Sequence, residues 1–145
     1  MANDAQVQKL LDETEIRNII ARLAHLADDG DLGDYIALFT EDGVWEMQAG
    51  GPLAPFPAKR GRADIRAGAE ERRRSGVQGP GTHTLHVITT TAVALAGDKA
   101  SARSYIMLLT NTHTKAEPGF CGIYNDEFIR TLDGWRLANR VISPR

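Results

Sequence analysis

The sequence has a single cysteine, Cys121, in 145 residues. No internal disulfide can form, and a reducing compartment, the cytoplasm, is the expected location. Nowhere do the roughly 18 successive apolar residues of a membrane span occur. Residues 1–9 are polar and hold no apolar signal core, so no leader is expected. Positive charge is not in excess: 17 Lys and Arg face 19 Asp and Glu, a formal net charge of −2. That argues against nucleic acid, whose partners present a basic face. Missing too are a phosphate-binding glycine loop, a Gly-x-Ser-x-Gly elbow, and any Cys/His cluster or spaced carboxylate pair for a metal. His83 and His86 stand three apart, so on one strand they would face opposite ways. No metal or organic cofactor is therefore expected. Repeats, linkers and low-complexity tracts are also absent, and residues 1–145 read as one domain.

What is present is ordinary globular material, 42% apolar and 25% charged. A chain of this length buries roughly two-thirds of its unfolded surface, enough for a core without staples. The first half reads helical. Asn3 or Asp4 caps a short opening turn carrying Val7, Leu10 and Leu11. Asp12, three residues before Glu15, reads as a capping-box start for a second helix. Ile16, Ile19, Ile20, Leu23, Leu26 and Ala27 follow at helical spacing, and Gly30 stops them. Asp31 caps a short helix in which Tyr35, Ile36, Leu38 and Phe39 are the apolar contacts. Thr40-Glu41-Asp42-Gly43 reads as a turn, and Val44 to Met47 as the first strand. Residues 49–58, with two glycines and three prolines, read as a loop at a pocket rim or sheet edge. An amphipathic segment over 63–74 ends in Arg72-Arg73-Arg74, expected to be a solvated helix end rather than an anion site.

The second half reads as a β-meander over 83–95, 100–112, 121–131 and 135–142. Turns at Gly97-Asp98 and Asp133-Gly134 and a loop around Glu117-Pro118-Gly119 separate the strands. Helices first and long antiparallel strands afterwards argue α+β rather than a doubly wound parallel fold.

Several phrases carry a resemblance across nearly the whole chain. They are Asp28-Asp29-Gly30-Asp31 with Tyr35, Leu38-Phe39-Thr40-Glu41-Asp42-Gly43-Val44-Trp45, and Leu85-His86-Val87. Gly97-Asp98-Lys99-Ala100, Gly122-Ile123-Tyr124-Asn125-Asp126-Glu127 and Asp133-Gly134-Trp135-Arg136-Leu137 complete the set. Together they resemble the SnoaL-like branch of the nuclear transport factor two-like superfamily. The resemblance implies a cystatin-like, cone-shaped half-open barrel. Its N-terminal helices would pack into a curved antiparallel or mixed sheet and leave one deep pocket for a small apolar molecule. It says less about reaction, because this fold hosts many chemistries. Within the branch the chain looks most like the scytalone dehydratase and hexachlorocyclohexane dehydrochlorinase subgroup, whose enzymes use a pocket His–Asp pair without metal or cofactor. Counting back from Trp45 places their aspartate on Asp28. Their histidine, at the start of the long strand, falls on His86, and the dehydrochlorinase's pocket arginine falls on Arg140. The dehydratase's two tyrosines have no match here, and His113 lies only loosely near its second histidine.

The residues bear on these assignments in different ways. Imidazole changes charge near neutral pH, so His86 at the wall of a dry pocket can remove a substrate proton. A carboxylate on its far nitrogen would fix the tautomer and stabilise the imidazolium. Strict alternation nevertheless sets His86 on the less apolar strand face, opposite Leu85, Val87 and Val93. Asp28 falls well off the Ile16–Ile20–Leu23 stripe on an ideal wheel, and a carboxylate near a helix C-terminus opposes the macrodipole. A wet acidic turn is the plain alternative. Arg140 either points inward, with a permanent charge for a leaving group or an enolate, or is a surface arginine. Trp45, Tyr105, Met107 and Tyr124 are candidate pocket walls.

The expected function is a cofactor-independent lyase or isomerase acting on a small hydrophobic, cyclic molecule. His86 would be the base, Asp28 its orienting partner, and Arg140 the stabiliser of negative charge. The alternative is a non-catalytic ligand-binding or accessory subunit of the same fold. A homodimer or homotrimer is expected, because Val, Ile and Leu occupy both strand faces.

Overall fold

Asn3 begins the ordered architecture by capping helix α1 (Asp4–Asp29) through a reciprocal box. Its side chain accepts the Gln6 N–H at 2.9 Å, and the Gln6 side chain accepts the Asn3 N–H at 2.9 Å. The computed structural model describes residues 1–50 and 56–145. The part of the expected loop that covers residues 51–55 lies outside the described residues. α1 runs unbroken through Asp12, so the second helix start expected there does not occur. The physical reason is that the Asp12 carboxylate is spent on tertiary partners, Arg130 and the Trp135 indole, not on backbone N–H groups.

Gly30 ends α1 as expected, its N–H returning to the Leu26 carbonyl at 3.0 Å. Asp31 caps helix α2 (Leu32–Ala37) by accepting the Asp34 N–H at 3.0 Å. Strand β1 (Phe39–Met47) follows directly, then β2 (Lys59–Arg60) and helix α3 (Arg62–Arg74). The expected turn at residues 40–43 lies inside β1, as an irregularity between the pairs Phe39–Leu137 and Val44–Asn139. Arg62 holds that bend, donating to the Phe39 carbonyl from Nε at 3.1 Å and Nη2 at 2.7 Å.

The meander comprises β3 (Leu85–Ala96), β4 (Lys99–Thr110), β5 (Glu117–Thr131) and β6 (Gly134–Pro144). Residues 117–119, read as a loop, are the start of β5. The sheet order is β2-β1-β6-β5-β4-β3. β1 and β6 run parallel and every other neighbouring pair antiparallel, so the sheet is mixed and open. Helices first and a mixed sheet afterwards make an α+β fold. The apolar stripe of α1, with Ile16, Ile20 and Leu23, is buried with Phe39, Phe128, Trp135 and Leu137 in the core cluster. Among the described residues no helix is long and apolar enough to cross a membrane.

Two bulges decide which side chains look inward. In β3 the register slips between Thr89 and Ala92, where Thr90 adopts φ 55°. In β6 Ala138 is the extra residue between the pairs Phe128–Leu137 and Glu127–Asn139. Each bulge reverses the parity of the strand beyond it. His86 and Ile88 therefore share the inner face with Val93 and Leu95, and Trp135 and Leu137 share it with Arg140 and Ile142.

Candidate functional site

Asp28 sits at the last turn of α1, yet it is only 5% exposed. The wheel misleads because β3 closes over the side of α1 that the apolar stripe leaves uncovered. Asp28 Oδ1 lies 2.6 Å from His86 Nδ1, and Oδ2 accepts the His86 backbone N–H at 3.1 Å. Both carboxylate oxygens thus hold one residue. In the neutral imidazole this contact favours the tautomer with the proton on Nδ1, which leaves the lone pair on Nε2. Nε2 has no hydrogen-bond partner among the described residues, and His86 lines a cavity. The macrodipole conflict at Asp28 is eased by a distant residue. Arg73 of α3 donates from Nη2 to the Leu26 and Gly30 carbonyls at 2.9 and 2.8 Å, putting positive charge on the α1 C-terminus.

The cavity lies between the C-terminal half of α1, α3 and the inner face of the sheet. Its walls include Leu23, Trp45, Ile106, Leu108, Phe120 and Tyr124. Arg140 also lines it, 3% exposed, so the inward alternative holds. Its Nε and Nη2 each donate to Asp126 at 2.8 Å, a two-pronged pair, and its guanidinium stacks 3.9 Å over the Tyr124 ring. Burial pulls the Arg140 guanidinium down, but the charge and hydrogen bonds of Asp126 hold it above its ordinary value. Burial pushes the Tyr124 phenol up to about 12, against the opposing charge of Arg140. The free space is small, a cavity of about 40 Å³, against about 300–1,000 Å³ for ordinary ligand pockets. A ligand of any size must move lining side chains to enter.

Two expected wall residues are elsewhere. Tyr105 is 48% exposed and, with Met107, lies on the outer sheet face. β4 keeps strict alternation here, and the inward positions are Ser104, Ile106 and Leu108. Trp45 and Tyr124 do line the cavity. His83 lies before β3 with φ 54°, and its ring stacks on His113 with centroids 3.8 Å apart. Neither histidine lines the cavity.

The sequence reading missed Arg72, Tyr35 and Gln78, all of them buried and lining the cavity. Arg72 is no solvated helix end. It is 4% exposed and stacks 4.2 Å over the Trp45 ring. A signal for this was available: Ile65, Ala69 and Arg72 are spaced i, i+4, i+7, which places Arg72 on the apolar stripe of α3. Of the three consecutive arginines, Arg73 caps α1, and only Arg74 is the solvated side chain expected, paired with Glu71.

The family model for the SnoaL-like domain matches residues 8–141 of this chain. A crystal structure described as an NTF2-like protein with a cystatin-like fold, from Novosphingobium aromaticivorans, is 27% identical. It superimposes with a TM-score of 0.84 over 97% of this chain and 86% of that one. The structure of ActVI-ORFA from Streptomyces coelicolor is 29% identical with a TM-score of 0.71, over 91% of this chain and 96% of its own. The uncharacterized protein Rv2910c of Mycobacterium tuberculosis is 27% identical over 137 residues, 93% of this chain and 86% of that protein.

Proposed function

The chain belongs to the SnoaL-like domain family, and from that premise we propose that its cavity is the active site of a cofactor-independent lyase or isomerase. The observation that carries the reading is the 2.6 Å contact between Asp28 Oδ1 and His86 Nδ1 at the wall of an apolar cavity. It leaves Nε2 as a base without another partner among the described residues. In the proposed step Nε2 takes a proton from a carbon beside an activating carbonyl, and the C–H electrons flow toward the carbonyl oxygen. In elimination those electrons return to break the bond to the leaving group: halide departs as the anion, and a hydroxyl departs as water by taking the proton back from the His86 imidazolium. In isomerisation the His86 imidazolium gives the proton back at another carbon. Asp28 keeps the ring oriented and stabilises its transient charge. Arg140, with Nε and Nη2 committed to Asp126, has Nη1 for negative charge on the substrate.

The test is mass spectrometry of small molecules retained through purification, followed by turnover of the identified compound. A compound consumed by the wild type and left untouched by His86→Ala supports the reading. A compound released unchanged by both sinks it. The smallness of the cavity favours a second reading, a non-catalytic binding module, and that second result is the one it expects. We also propose that the outer sheet face, where Leu85 and Tyr105 are exposed, is covered in a homodimer or homotrimer. Sedimentation at micromolar concentration is expected to show that assembly and no stable monomer.

A further inference from the structure

The two arginines of the cavity are not equivalent. Arg140 has its own carboxylate, bonded twice by Asp126. Arg72 has none: every other ion pair among the described residues involves a different arginine, a lysine or His86. Residues 51–55 contain no acidic side chain to supply one. The Arg72 side chain is 4% exposed, and its buried Nε has no hydrogen-bond partner among the described residues. Its flat face rests on Trp45, which supports a cation but does not neutralise it. The Asp28 oxygens are both committed to His86. Burial pulls the Arg72 guanidinium below its ordinary value, with the phenols of Tyr35 and Tyr124 acting in the opposite sense. A buried cation without a counter-charge is unfavourable for folding. A ligand that brought a negative charge to this guanidinium would offset that cost.

We propose that Arg72 is the anion-binding residue of the cavity, and that the ligand is a small cyclic molecule presenting an acidic oxygen, a carboxylate or phenolate, to its guanidinium. This rests on reading the cavity as a ligand site, but not on proton abstraction by His86. It changes the expected ligand from purely apolar to amphipathic: a ring against Leu23, Ile106 and Leu108, and an anionic group against α3.

The experiment is a calorimetric titration of the full chain with benzoate and acetate, and with benzamide and acetamide as their neutral counterparts. At least one carboxylate is expected to bind at least tenfold more tightly than its amide. Arg72→Met is expected to weaken that binding at least tenfold, while Arg74→Gln, at the exposed end of the same helix, leaves it unchanged. In the absence of any ligand, Arg72→Met is expected to melt above the wild type, because it replaces an uncompensated charge with an apolar side chain of similar length. A variant that fails to fold or melts below the wild type makes the guanidinium a structural element and overturns the proposal. So does equal binding of acid and amide by the wild type, or undiminished carboxylate binding by Arg72→Met. No turnover is measured, so a protein that binds carboxylate yet catalyses nothing overturns the lyase reading alone.

Discussion

His86 and Asp28 form one unit because both oxygens of the aspartate are spent on the same residue, one on the ring and one on the backbone. Under the proposed proton abstraction, removing either member disables both, so their effects on turnover are expected not to add. His86→Ala should lower kcat by about 10²–10⁴-fold, the range of a general base. Asp28→Asn should cost nearly as much, because an amide can hold the imidazole but cannot stabilise its charge. The double variant should be little worse than His86→Ala alone. Steady-state kinetics on a retained compound decide it, and two losses that multiply as independent factors would show that the contact is not a catalytic unit. Arg140→Lys has a different signature. It keeps a charge beside Asp126 but loses the two-pronged geometry, so the expected change is a milder loss of kcat. Circular dichroism should remain native for all of these proteins.

At the scale of the element, the pattern of inner and outer faces is set by bulges, and this separates what was legible in the sequence from what was not. Helices before a meander of long strands, the Gly30 stop and the Asp31 cap follow from local chemistry, whereas the break at Asp12, the turn at 40–43 and the loop at 117–119 do not occur. Strict alternation put His86 opposite Val93, and that inference fails because Thr90 adds a residue between them. The shared inner face of Trp135 and Arg140 has the same origin in Ala138. Neither bulge has a glycine to announce it. Tyr105 and Met107 fail for the opposite reason: alternation holds along this part of β4, and it faces them outward. Arg72 was misread by composition, three arginines in a row, although its helical spacing marks it as inward. Thr90 also supports a prediction. It is exposed, and a β-branched residue at φ 55° is strained by about 1–2 kcal/mol. Thr90→Gly relieves that strain but adds freedom to the unfolded chain worth about 0.5–1 kcal/mol. The net expectation is a gain of up to about 1.5 kcal/mol, seen as a higher urea midpoint with an unchanged slope. Deleting Thr90 should instead abolish folding, because it turns Thr91, Val93 and Leu95 out of the core. A deletion variant with a wild-type melting curve would show that the bulge does not set the strand's parity.

Across the whole molecule, the sheet's far end must be fastened to the start of the long helix, and one buried carboxylate does this. Asp12 accepts from Arg130 Nη1 and Nη2 at 2.9 and 2.8 Å, from the Trp135 indole at 3.0 Å and from Gln8 at 3.0 Å. Glu15, one turn on, accepts the Trp135 backbone N–H at 3.0 Å. The β5–β6 hairpin is thereby joined to α1 through two acidic side chains rather than through apolar contact alone. The hydrogen bonds from Arg130 hold the Asp12 carboxyl well below the usual carboxylate range, against the opposing effect of burial, with the Trp135 indole adding to the lowering. A carboxyl whose folded value lies below its unfolded value of about 3.9 stabilises the native state at every pH above that unfolded value. The contribution fades as pH falls toward the folded value, because the unfolded chain then takes up the proton first. Urea midpoints followed by tryptophan fluorescence are therefore expected to drop as pH is lowered from about 4 to 2. Asp12→Asn keeps an oxygen for the indole but has no charge for Arg130. It should be less stable than the wild type at pH 7, and its midpoint should fall less steeply over the acid range. Asp12→Ala also strands the buried indole N–H and should cost about 1–3 kcal/mol at pH 7. If Asp12→Asn matches the wild type at pH 7 and follows the same acid slope, Asp12 is not what fastens the hairpin to the helix.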